Sequence, residues 1–136
     1  MKHILNLLCA TVLLSVAAGC KSKSGPYAPM PANNVEDREA IVLMDPMVQQ
    51  SVTSGGVFFK TLDSGRLEVT AKVQSRDSRR IQVQVQCVFK DANGFGVDDE
   101  TPWQNLILTE NAQEQLQFIS MNDQAKKATV RVRQAR

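Results

Sequence analysis

Two stretches of strict alternation constrain this chain more than anything else in it. Leu67, Val69, Ala71 and Val73 alternate with Glu68, Thr70, Lys72 and Gln74. After a polar break at Ser75 to Arg79, Ile81, Val83, Val85, Cys87 and Phe89 alternate with Gln82, Gln84 and Gln86. A period of two puts successive side chains on opposite faces of an extended strand, so each segment must bury one face and wet the other. A slip of one residue would carry every glutamine into the core, which specifies the pairing register strongly.

Shorter segments complete the pattern. Ala40 to Met44 is an apolar run ended by Asp45-Pro46, and Met47 to Ser54 fits either a half-turn or a short strand. Gly55-Gly56 precedes a strand at Val57 to Lys60, and Asp63-Ser64-Gly65 is a turn signal. Asp91-Ala92-Asn93-Gly94 closes the second alternating strand with residues that tolerate positive φ, and a polar loop is expected from Phe95 to Pro102. Strand resumes over Trp103 to Leu108, turns at Thr109 to Ala112, and returns at Gln113 to Ile119. Ala128, Val130 and Val132 alternate in a final strand. About seven short strands separated by turn signals predict an all-β fold, an immunoglobulin-like antiparallel β-sandwich of two sheets.

The chain opens differently. A short positive start, Met1-Lys2-His3, leads into an apolar run from Ile4 to Ala18. At about fifteen residues the run is shorter than the roughly 20 a membrane-spanning helix needs, and its small-residue end suggests cleavage. Ala17-Ala18-Gly19-Cys20 resembles the lipobox of bacterial lipoproteins, matching at Ala18, Gly19 and Cys20, with Ala17 where leucine is commonest. The resemblance implies a signal peptide over 1–19 and a diacylglycerol on the Cys20 sulfur. An ordinary secretory signal or a plain hydrophobic anchor are the alternatives. Residues 20–38 carry Gly25, Pro26, Pro29 and Pro31 without periodicity and read as a flexible tether. The sandwich domain is expected over 39–136. Such a protein belongs to the bacterial cell envelope, lipid-anchored, with its domain in the periplasm. Lys21 in place of the aspartate of inner-membrane retention signals points toward the outer membrane.

Composition removes whole classes of function. Without residues 1–19 the chain has 117 residues, enough for one core. Its 15 basic and 14 acidic side chains nearly cancel, which gives no electrostatic case for nucleic acid. The only histidine, His3, goes with the leader, and with it the usual proton shuttle and the commonest zinc ligand. Cys87 is the one thiol left besides Cys20, so no internal disulfide is expected. No phosphate-binding loop is present, and neither a cofactor nor an enzymatic role is expected.

From Ile81 to Arg133 the chain resembles the YcfL family of predicted periplasmic lipoproteins. The shared features are the alternating strand, the Asp-Ala-x-Gly turn at Asp91 to Gly94, the loop reaching Pro102, and the closing strands. The resemblance implies an immunoglobulin-like sandwich and carries over no catalytic residue.

Several residues invite chemistry. Cys87 alternates with the core positions, where a thiol is unreactive. Asp98-Asp99-Glu100 is the densest carboxylate cluster, but neighbours in a loop do not set the opposed geometry of glycoside hydrolysis, and a solvated loop is expected. Asp91, Asn93 and Gly96 match positions one, three and six of a calcium loop, yet Phe95 and Pro102 stand where oxygen ligands belong. No metal site is therefore expected. Lys126, Lys127, Arg131 and Arg133 form a basic end that either protects an edge strand or meets an anionic partner. Trp103 is either a core residue or a binding anchor. The candidate binding residues are Trp103, Arg131 and Arg133, and the candidate lipidation site is Cys20. The expected function is a non-catalytic, membrane-anchored module that binds another envelope protein. The alternative is a lipoprotein that holds a glycan or calcium at the loops around residues 91–103. Oligomeric state is left open.

Overall fold

The computed structural model describes residues 39–135; the expected signal peptide, Cys20 and the tether lie outside them. The described chain runs β1 (Ile41–Leu43), α1 (Pro46–Ser51), β2 (Val52–Thr61), β3 (Leu67–Ser75), β4 (Ile81–Lys90), β5 (Gly96–Glu100), β6 (Gln104–Leu108), β7 (Gln113–Ile119) and β8 (Lys127–Gln134). The strands form two sheets. One has the order β2-β3-β7; in the other, β1-β8-β4 continues to β5 and β6, which lie end to end along the far edge of β4. Every pairing is antiparallel except β1 with β8. This is the expected all-β sandwich, with eight strands where the turn signals suggested about seven.

The alternation of β3 and β4 is what closes it. Leu67, Val69, Ala71 and Val73 from β3 meet Val83, Val85, Cys87 and Phe89 from β4 in one buried cluster. Ala128, Val130 and Val132 of β8 lie opposite Phe89, Cys87 and Val85 on the same face, and Phe118 of β7 joins them. Each fully buried valine contributes roughly 1.5–3 kcal/mol relative to an exposed one.

Two segments differ from the sequence reading. Residues 47–54 divide into a helix and a strand. Pro46 starts α1 where its missing N–H costs nothing, and the Arg76 guanidinium donates to the carbonyls of Gln49 (2.8 Å) and Gln50 (3.0 Å) at the helix end. From Val52 the chain is already β2, which continues through a bulge at Gly55-Gly56; Gly56 has a φ of 115°, which suits only glycine.

The second difference is the expected loop at 95–102. Gly96 to Glu100 instead pairs as β5 with the far half of β4, irregularly, with Asp98 at a φ of 53°. Pro102 has no N–H to give the ladder, so the return strand breaks there. Thr101 bridges the break: its N–H donates to the Cys87 carbonyl and its Oγ1 accepts the Cys87 N–H, both at 2.9 Å. The strand resumes as β6.

One end of the sandwich is held by buried polar groups. Ser120 is fully buried between β7 and β8; its Oγ accepts the Leu67 N–H (2.8 Å) and donates to the Asn122 carbonyl (2.7 Å). Removing the hydroxyl strands a buried backbone donor. Ser120→Ala is expected to lower unfolding free energy by about 1–3 kcal/mol, read as a lower thermal midpoint, without loss of the native circular dichroism spectrum.

Candidate functional site

The outward side chains of the five-stranded sheet form two polar rows across its strands. In one row Arg133 of β8 donates through Nε to Gln84 Oε1 of β4 (3.0 Å), and Gln84 Nε2 donates to Asn105 Oδ1 of β6 (3.0 Å). In the next, Arg131 Nη1 reaches Gln86 Oε1 (3.4 Å), while Gln86 Nε2 donates to the Thr101 carbonyl (3.1 Å) and Glu100 Oε2 (3.3 Å). The rows follow from register, because Arg133 is paired with Gln84 and Arg131 with Gln86.

Trp103 sits at the break between β5 and β6. It is half-buried, and the Arg133 guanidinium lies over its ring at 3.9 Å from the centroid. The three candidate residues Trp103, Arg131 and Arg133 therefore share one face. For Trp103 this corrects the core reading: Pro102 releases the chain from the ladder and the ring turns outward under an arginine. For the arginines it corrects the edge-strand reading, because β8 lies between β1 and β4. Gln84, Gln86 and Asn105 were not singled out from sequence. The alternation placed the glutamines on one face, but their partners are 45 to 49 residues away in Arg131 and Arg133.

The other candidates fall elsewhere. Asp98, Asp99 and Glu100 are on a strand, and Asp99 is buried with its Oδ2 accepting the Met121 N–H at 2.6 Å, so this carboxylate ties β5 to the loop before β8. Asp91 Oδ1 accepts the N–H groups of Asn93 (2.8 Å) and Phe95 (2.9 Å), an Asx turn that closes the β4–β5 connection. Among the described residues, no three His, Cys, Asp or Glu side chains come together as metal ligands. At the α1 end lies a cavity of about 280 Å³ lined by Met47, Val48, Val52, Ile81, Arg79 and Arg80. Beside it, hydrogen bonding from Arg79 holds the Asp77 carboxyl below its usual range. Among the described residues no helix is long and apolar enough to cross a membrane.

These features define a small β-sandwich with a polar, arginine- and amide-lined sheet face. The chain belongs to a family described as protein of unknown function, DUF1425, whose model matches residues 40–134. Its fold is similar to that of a DUF1425 family member from Shewanella sp. pv-4, at 27% identity and a TM-score of 0.55, covering 62% of this chain and 77% of that one. It is also similar to cj0090 of Campylobacter jejuni, at 14% identity and a TM-score of 0.59, covering 71% of this chain and 98% of the other, a likeness of fold alone. None of the curated proteins matches the sequence.

Two readouts probe this geometry. Trp103 is the only tryptophan, so Arg133→Ala is expected to uncover its ring and red-shift its emission, with less than about 1 kcal/mol lost in stability. Burial pushes the Cys87 thiol up from 9.0 to about 12, with the Asp99 charge adding to the effect. The folded state thus holds the thiol neutral while the unfolded chain ionises near its ordinary value. The associated stability is complete below that value and is lost as pH rises toward about 12. A disulfide-exchange reagent at pH 8 is expected to leave Cys87 unmodified until denaturant is added.

Proposed function

We propose that this protein is a non-catalytic lipoprotein of the bacterial cell envelope. Lipid on Cys20 holds it to a membrane, the outer membrane by the residue that follows, and residues 20–38 tether a periplasmic domain. Its sandwich binds another envelope protein through the outer face of the five-stranded sheet. The observation that carries this reading is the convergence of Trp103, Arg131 and Arg133 on that face. Tryptophan and arginine dominate binding energy at protein interfaces, because each offers a large planar contact together with hydrogen bonding at its rim. The lipobox at Ala18-Gly19-Cys20 and the resemblance to YcfL family lipoproteins support the envelope setting. The buried Cys87 thiol and the Asp99 carboxylate, already bonded to the Met121 N–H, support a binding rather than a catalytic role.

Glycan binding is the second reading, favoured by the amides of Gln84 and Asn105 close to an aromatic ring; it is weakened because Arg133 already covers that ring. Crosslinking in intact cells, with mass spectrometry of the captured species, separates the two. One dominant envelope protein is expected, with at least about tenfold less captured by Trp103→Ala and Arg133→Ala, as for interface hot spots. Cys20→Ala is expected to lose the capture by releasing the domain from the membrane. Undiminished capture by the face variants would refute the assigned surface. Specific retention of glycan with no protein captured would replace this reading with the second.

A further inference from the structure

A different surface lies at the end of the sandwich formed by three connections. Residues 61–67 join β2 to β3, residues 90–96 join β4 to β5, and residues 119–127 join β7 to β8. They form one continuous end. Ser120 N–H donates to the Leu67 carbonyl (2.9 Å) and Lys126 N–H to the Lys90 carbonyl (2.8 Å), while Asp99 holds Met121. A Cβ on Gly65 would lie 3.2 Å from that of Asp123.

Among the described residues, five of the eight exposed large apolar side chains belong to this end or its flank. Met121 is 85% exposed and Phe95 72%, at the tips of two loops; Phe58, Phe59 and Ile119 lie just below on β2 and β7. The tips are fixed rather than loose, Phe95 by its N–H to Asp91 and Met121 by its N–H to Asp99. Holding apolar side chains in water on rigid backbone has no benefit for folding, and such patches mark contact sites. Around them Lys60, Arg66, Lys126 and Lys127 are exposed, against three exposed carboxylates, Asp63, Asp98 and Asp123, a small positive excess.

Chain direction indicates the occupant. β1 runs parallel to β8, which starts from this end at Lys127, so the chain joins the domain travelling away from it. Between Cys20 and Glu39 lie 18 residues, which as a flexible coil average about 25 Å, a short reach from the end at which the chain enters the domain.

We infer that this loop end is a lipid-facing surface. Phe95 and Met121 enter the headgroup layer of the membrane that carries Cys20, with lysines around them against lipid phosphates. The inference rests on the anchor reading of Cys20 but not on the assigned partner face, which it leaves turned sideways to the membrane and open. Apolar tips ringed by lysine are the chemistry of interfacial binding, since lysine stems lie along the apolar layer while their ammonium groups stay at the phosphates.

The test uses the full chain, processed in cells and reconstituted in vesicles of phosphatidylethanolamine and phosphatidylglycerol. Phe95→Cys, Met121→Cys and, at the opposite end, Ser78→Cys each receive an environment-sensitive dye, and lipids bearing a nitroxide near the headgroup serve as quencher. All three positions are exposed, and unchanged melting temperatures check the fold. Quenching at 95 and 121 is expected to exceed that at 78 by roughly threefold or more, given an interfacial depth of a few ångströms. Lys126→Glu with Lys127→Glu is expected to reduce it. Equal quenching at all three positions, or no response to the charge reversals, overturns the inference. The anchor is read separately, from lipid mass on Cys20 and absence of dye on the parent chain, whose Cys87 is buried. Should the anchor be absent, quenching at 95 and 121 on adding vesicles would still uphold the surface, and its absence would overturn it.

Discussion

The structure depends on the burial of one face of β4. Val83, Val85, Cys87 and Phe89 point between the sheets and are almost without solvent contact, and β4 pairs with three other strands along its length. No other strand among the described residues has that many partners, so the register of β4 propagates to β5, β6 and β8 together. Shifting it by one residue would bury Gln82, Gln84 and Gln86 without partners, at a desolvation cost that the marginal stability of a small domain does not cover.

That same alternation generates the polar outer face of the five-stranded sheet. Glutamines kept out of the core must meet something on the other side of the sheet, and they meet the arginines of β8 and an asparagine of β6. Face and core are thus two consequences of one pattern. The break at Thr101-Pro102 adds the remaining part, because a proline cannot continue the ladder and the next residue, Trp103, leaves the strand plane. Thr101 keeps the Cys87 backbone satisfied across the gap, so the outward tryptophan leaves no buried donor without an acceptor.

Buried polar groups at the loop end have the same logic. Ser120 and Asp99 lie in a part of the molecule where backbone N–H groups of Leu67 and Met121 have no strand partner, and their oxygens supply the acceptors. Asp99 in this way fixes the backbone of Met121, as Asp91 fixes that of Phe95. The domain therefore presents two chemically distinct surfaces, a polar arginine–amide face along the sheet and an apolar, lysine-ringed end.

Much of the fold was legible in the sequence because period-two alternation is a local property. The inward residues of β3, β4, β7 and β8 could be read off directly, as could the turns at Asp63 to Gly65 and Asp91 to Gly94. What local pattern could not reach were the places where a distant group decides. Asp99 reads as one of three solvated acids until the Met121 N–H is seen to reach its carboxylate; Trp103 reads as core until Arg133 covers it. β8, rich in lysine and arginine, reads as an edge until β1 pairs beyond it. By itself the sequence determined an all-β sandwich, its core face and the lipobox-like start of the chain. Tertiary structure alone decided which polar residues meet, because hydrogen-bond partners across a sheet are set by strand order, and strand order depends on contacts between residues far apart in the chain.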